Sequence, residues 1–305
     1  MITVPTVLVL GAGASVPYGF PTAAELKRRI CETFAAADSR PIQFLAQKYD
    51  HSPREFVAFT DAFRQSGRQS VDEFLEHRRD FIEVGKLAIA YCLIPYEDER
   101  KLFTASDRGG DWYQYLFNKL NAPFEEFENN RLSVVTFNYD RSLEHYLLTA
   151  LRNAYGRTAE ECEQLVARIS IVHVYGQLSG IPYPQPRSRP YIPDPEYTDH
   201  FVGNAAAGIR ILHEAEPMLG EANTLLTEAQ MICFLGFSYH PVNVQRLALK
   251  DASSQRIVFG SALGLVDSEM SDIVGRLKQA LLCSNVTLDR ADNLLTLRQQ
   301  RVLGS

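Results

Sequence analysis

Four apolar residues in succession, Val7 to Leu10, break directly into a turn carrying Gly11 and Gly13. An unbroken run of that length predicts a parallel strand covered on both faces. Thr22 and Glu25 have the spacing of a capping box, and Ala23, Leu26, Ile30 and Phe34 recur at helical intervals, so a helix is expected over about 22–34. From Pro41 to Pro123 the pattern is helical almost throughout, with one long amphipathic segment opened by a second capping box, Ser70 and Glu73, and closed near Pro95. Phe56, Phe59, Phe63, Phe74, Phe81, Leu87, Trp112, Tyr115 and Leu116 are its expected core. Residues 35–123 are thus read as a helical subdomain inserted into a domain made of 1–34 and 124–305.

Strand character returns at Leu132 to Phe137, followed by a helix carrying Leu143, Tyr146, Leu147 and Leu151 and another opened by Thr158 and Glu161. A third strand is predicted at Ile169 to Tyr175. The chain then reads as irregular to about Asp199, with six prolines from Pro182 to Pro195, either a lid or a solvated connection. Beyond it come strand Met231 to Leu235, helix Pro241 to Lys250, strand Ile257 to Phe259, helix Ser268 to Leu282 and strand Val286 to Leu288. Strands separated by crossover helices predict an α/β fold, a Rossmann-like parallel sheet of about six strands flanked by helices.

Composition changes this picture little. The chain has 305 residues, 46% apolar and 22% charged, with a formal charge of −6, which argues against direct nucleic-acid binding as the main role. The five cysteines, Cys31, Cys92, Cys162, Cys233 and Cys283, include no CxxC pair, so neither a zinc ribbon nor any other metal site is expected. Scattered thiols and the lack of an 18-residue apolar run predict a cytoplasmic protein with no membrane association.

Candidate chemistry gathers at the carboxyl ends of the predicted strands, where such sheets bind ligands. Gly11, Ala12, Gly13, Ala14 and Ser15 follow the first strand, with Pro21 beyond; Gly-x-Gly there is either a tight turn or a phosphate cradle. Val16 stands where the dinucleotide fingerprint has its third glycine, and no second strand ends in an acid about 20 residues on, so a dehydrogenase is not indicated. Thr136, Phe137, Asn138, Tyr139 and Asp140 end the second strand, His173, Tyr175 and Gly176 the third, and Gly236, Phe237 and Ser238 the fourth. In a continuous strand His173 and Tyr175 point to the same side. The bland alternatives are a strand histidine satisfied by hydrogen bonds and an Asp140 that only caps the next helix; His240 reads as a helix start.

These segments, in this order, resemble the sirtuin-like NAD-consuming fold: GAGAS with GFP at 19–21, TFNYD at 136–140, HVYG at 173–176 and GFS at 236–238. The resemblance is closer to the sirtuin-like NAD hydrolases of bacterial anti-phage defence than to protein deacetylases. The paired cysteines of the zinc ribbon are missing, and Thr22, Ala23 and Ala24 stand where deacylating sirtuins have Asp-Phe-Arg, so water should be the easier acceptor. The resemblance implies that Gly11 to Ser15 hold the diphosphate of NAD, that Asn138 contacts the nicotinamide-side ribose or the attacking water, and that Asp140 contacts the carboxamide. It implies His173 as general base or ribose anchor, with Tyr175 where sirtuins place their histidine, and Gly236, Ser238 and Ser261 on the adenosine half. Pro21, Thr136, Phe137, Tyr139, Gly176 and Phe237 would line the same site. NAD is then a substrate, and the chain an NAD glycohydrolase depleting NAD under the control of homo-oligomerisation or a partner, a HerA-type ATPase or an Argonaute-like protein. The alternatives are a catalytically silent nucleotide-binding assembly subunit and, behind it, an NAD-dependent protein deacylase.

Overall fold

In the computed structural model, residues 1–104, 110–179, 189–193, 195–211, 214–250 and 256–299 are described. β1 (Thr6–Leu10) leads through two short 3-10 turns into α1 (Ala23–Thr33), followed by α2 (Arg40–Tyr49), α3 (Pro53–Gln65), α4 (Val71–His77), α5 (Ile82–Leu93), α6 (Glu99–Leu102) and α7 (Trp112–Lys119). β2 (Leu132–Thr136) is followed by α8 (Ser142–Tyr155) and α9 (Ala159–Val166), then by β3 (Ser170–His173), α10 (Pro195–Gly208) and α11 (Glu216–Glu228). The chain closes with β4 (Met231–Leu235), α12 (Pro241–Arg246), β5 (Ile257–Ser261), α13 (Asp267–Ala280), β6 (Asn285–Asp289) and α14 (Asn293–Gln299).

The six strands form one parallel sheet in the order β3-β2-β1-β4-β5-β6. β1 lies between β2 and β4, with Leu8 beside Val134 on one side and Cys233 on the other. The order therefore reverses across β1 and β4, which opens a crevice at their carboxyl ends. Alternation along β1 feeds two cores: Val7 and Val9 pack with α1 to α5 and α10 to α13, whereas Leu8 and Leu10 pack with α7, α8 and α9. The buried aromatics of 35–123 divide between the same two cores, Phe56, Phe59, Phe63 and Phe74 on one face and Trp112 and Tyr113 on the other.

Both threonine capping boxes form as expected, Thr22 with Glu25 and Thr158 with Glu161. The long segment from Ser70 does not run unbroken. Ser70 Oγ accepts from Glu73 N at 3.2 Å, but the Glu73 carboxylate turns to Arg68 at 2.7 Å and to Gln69 N, so only half the box forms. The segment breaks at Arg78 (φ −117°, ψ 71°) into α4 and α5. β3 ends at His173, two residues early, because the chain turns there, with Gly176 N donating to His173 O. The expected helix to Lys250 stops at Arg246. Helices α10, α11 and α14 were not legible in the pattern. α10 begins at Pro195, inside the stretch read as irregular, and packs on α5 through small residues such as Ala205 and Ala206. Most of the proline-rich segment, 180–188 with 194, lies outside the described residues, as do the last residues of the chain. Among the described residues no helix is long and apolar enough to cross a membrane.

Candidate active site at the strand ends

The glycine turn is tighter than a phosphate cradle requires. Gly11 N donates to Leu235 O and Gly13 N to Gly236 O at 3.0 Å, while Ala14 N and Ser15 N close the first 3-10 turn onto Gly11 O and Ala12 O. A Cβ on Gly11 would lie 2.6 Å from Gly236 O, and one on Gly13 2.8 Å from Gly236 Cα. These glycines therefore let the loop after β1 touch the loop after β4, and four of the amides expected to hold an anion already donate to backbone. Trp112, the only tryptophan, braces the turn by donating Nε1–H to Ala14 O at 2.8 Å. The Tyr18 ring stacks on Tyr113 at 3.6 Å between centroids.

Beside the turn, the end of β2 delivers the expected residues into one network. Asn138 Nδ2 donates to Gly11 O at 2.9 Å and to Ser15 Oγ at 3.1 Å, and Ser15 Oγ–H donates to Asp140 Oδ2 at 2.8 Å. Thr136 Oγ1 accepts from Asn138 N, fixing the bend out of the strand. Asp140 also receives both the amide N–H, at 3.2 Å, and the hydroxyl of Ser142, so from one residue before the N-cap, Arg141, it satisfies the first amide of α8 as well as bonding Ser15. The Ser142 hydroxyl lies 2.7 Å from Tyr113 OH. Burial pushes the Asp140 carboxyl above the usual range, against the hydrogen bonds from Ser142 and Ser15 that pull it down.

His173 is buried with both ring nitrogens engaged, Nδ1 with Asn138 O at 2.9 Å and Nε2 with Glu144 Oε1 at 2.7 Å. A carbonyl only accepts, so Nδ1 carries a proton. Burial alone would lower this histidine, but the charge of Glu144 and the hydrogen bonds to Glu144 and Asn138 O raise it. The ring thus bridges the end of β2 to α8 through both nitrogens, and Nε2 can accept a proton only when it has left Glu144 without one. Tyr175 does not share its side, since the turn after β3 sends its hydroxyl to Asn243 Oδ1 at 2.9 Å and to Arg246 on α12. Phe137 packs edge-on against both Tyr175 and Phe237, with centroids at 5.6 and 5.1 Å, over the crevice.

The remaining expected residues divide. Ser238 is exposed beside the crevice, whereas Ser261 is buried and already committed, accepting from Gly236 N at 2.9 Å and donating to Asn293 Oδ1 at 3.1 Å. Gly176 (φ +70°) serves the close approach of 208–210, where a Cβ would lie 2.0 Å from Gly208 O. Tyr139 turns its hydroxyl to Asp72 of α4. Pro21 lies between the glycine turn and α1. The residues missed are Glu144, Ser142, Tyr113, Trp112, Asn293 and Asp72, each brought in from a distant or unremarked position. All five cysteines are buried and unpaired, and burial raises every thiol, Cys92 to about 12, so none is a ready nucleophile. Among the described residues no three His, Cys, Asp or Glu side chains gather in a metal-binding group. No protein-family model matches the chain, and a search of curated proteins returns no match.

Proposed function

We propose that this chain binds NAD across the switch point and hydrolyses its nicotinamide–ribose bond, as the sirtuin-like resemblance implies. The observation that supports the reading is the single network Asn138–Gly11–Ser15–Asp140, which joins two of the four strand-end segments at the one crevice where a sheet of this order binds dinucleotides. Nicotinamide departs through an oxocarbenium-like sugar, and oriented neutral dipoles such as the Asn138 amide stabilise and direct such a species without adding charge of their own. The Asp140 oxygens suit the N–H groups of a carboxamide. His173, once Nε2 has passed its proton to Glu144 and turned from it, would take the proton of the attacking water. NAD would displace Asn138 from Gly11 and Ser15, an exchange of hydrogen bonds that costs little net.

Chromatographic assay of nicotinamide and ADP-ribose tests this. NAD loss is expected in the wild type, and Asn138→Ala is expected to lower it by at least about a hundredfold, the scale of losing one positioned donor at a charge-developing centre. Undiminished turnover in that variant would remove Asn138 from the chemistry. One observation favours a second reading, a nucleotide-binding subunit without turnover: His173 has no ring nitrogen free to accept a proton. NAD binding by calorimetry with no nicotinamide release, alone or in an oligomer or with a HerA-type or Argonaute-like partner, would select it.

A further inference from the structure

Above the crevice lies a second polar cluster that the proposed chemistry does not use. Arg246 on α12 bonds the Tyr175 hydroxyl, Asn243 Oδ1 at 3.0 Å and Glu76 Oε2 of α4 at 3.3 Å, with its guanidinium 5.7 Å from the Tyr175 ring centre. Tyr175 follows β3 and α12 follows β4, with β2 and β1 between them in the sheet. Three strand spacings of about 4.8 Å separate those ends, so the bridge reaches about 14 Å across the carboxyl ends of β1 and β2. Asp72 and Glu76, four apart, share one face of α4 and hold Tyr139 and Arg246 respectively. The other face of α4 is fixed in the core through Phe74 and Leu75, the latter pressed on Gly85 of α5, where a Cβ would stand 2.7 Å from a Leu75 methyl. The contact is thus between two anchored elements across the mouth of the crevice.

We propose that Arg246 is an anion-binding group for the diphosphate of the dinucleotide, and that in this state Glu76 fills its place and holds α12 clamped over the switch point. The proposal rests on the dinucleotide reading above. It answers a shortage in the site, since Gly11, Gly13, Ala14 and Ser15 spend their amides on backbone and a diphosphate needs other donors. A guanidinium presents a planar fork that matches phosphate oxygens two at a time. The phenol and amide partners of Arg246 are neutral. Glu76 is 30% exposed and single-pointed on it, a pairing of the weak surface kind that a doubly charged diphosphate outcompetes. Ligand entry and the parting of Arg246 from Glu76 are then one event.

Titration calorimetry with NAD, ADP-ribose and inorganic pyrophosphate tests the assignment on wild type, Glu76→Gln and Arg246→Gln, each checked for an intact melting transition. Glu76→Gln is expected to tighten binding by about twofold to fivefold, the worth of an exposed ion pair. Arg246→Gln is expected to weaken it by at least about tenfold. Should Arg246→Gln not fold, Arg246→Lys keeps the charge without the fork, and a weakening of about threefold is expected. Affinities within twofold across all variants, or no binding by wild type and Glu76→Gln alike, would overturn the proposal. Nicotinamide release by the same samples would still uphold the hydrolase reading. Pyrophosphate binding that depends on Arg246, without NAD binding or cleavage, would keep the anion site and remove the dinucleotide reading.

Discussion

Gly236 occupies a place that no side chain can share. Its φ is +56°, and a Cβ would lie 2.0 Å from Ala14 N and 2.2 Å from Gly13 C, all backbone that cannot step aside. Gly236→Ala is expected to cost about 3 kcal/mol in urea unfolding, the combined scale of left-handed strain and a backbone clash. A loss under about 1 kcal/mol would mean that the two loops are not held in contact. At this scale the sequence made Gly11, Gly13, Asn138, Asp140 and His173 legible, because His173 closes a recognisable strand and each of the others lies one to four residues past one. What each touches was not legible. Glu144 reads as an ordinary acid in the first turn of a helix, and only the fold carries it to His173, 29 residues away. The glycines announced a close approach, but their partner is the neighbouring loop.

Helix caps were readable because their chemistry is local. Thr158 and Thr22 each lie three residues from the glutamate that completes the box, and both boxes close. Thr158→Ala is expected to cost about 1 kcal/mol, measured as a shift of the unfolding midpoint in urea at constant slope. Ser70 shows where local reading ends, since Arg68 competes for its glutamate. Strand ends depended on contacts beyond the window: β3 stops at His173, where Gly176 N turns back onto His173 O and Gln177 N goes on to Gly208 O. α10 was hidden for the opposite reason. Its buried positions include alanines, which carry no apolar stripe to read against a proline-rich approach.

The whole molecule balances charge inside its core as well as apolar area. His173 is raised above the ordinary histidine value of about 6.5, so the stability its charge contributes is fully present below that pH and is lost as pH rises through the folded value. The unfolding free energy of wild type over His173→Gln should therefore be largest below about pH 6.5 and shrink as pH rises above it. A pH-independent difference in urea titrations would mean that the ring is held neutral. The division of the sheet into two cores, each fed by alternate residues of β1, was legible in outline from the unbroken apolar run. The sharing of both cores by residues 35–123 was not, because sequence spacing does not say which face of a sheet a helix covers. The interlock of Gly11, Gly13 and Gly236 has one more effect. It carries the pairing of β1 with β4 past the last residues of both strands and into the loops that follow them. The loops on the two sides of the switch point are thereby fastened to each other, so a displacement of one carries the other with it.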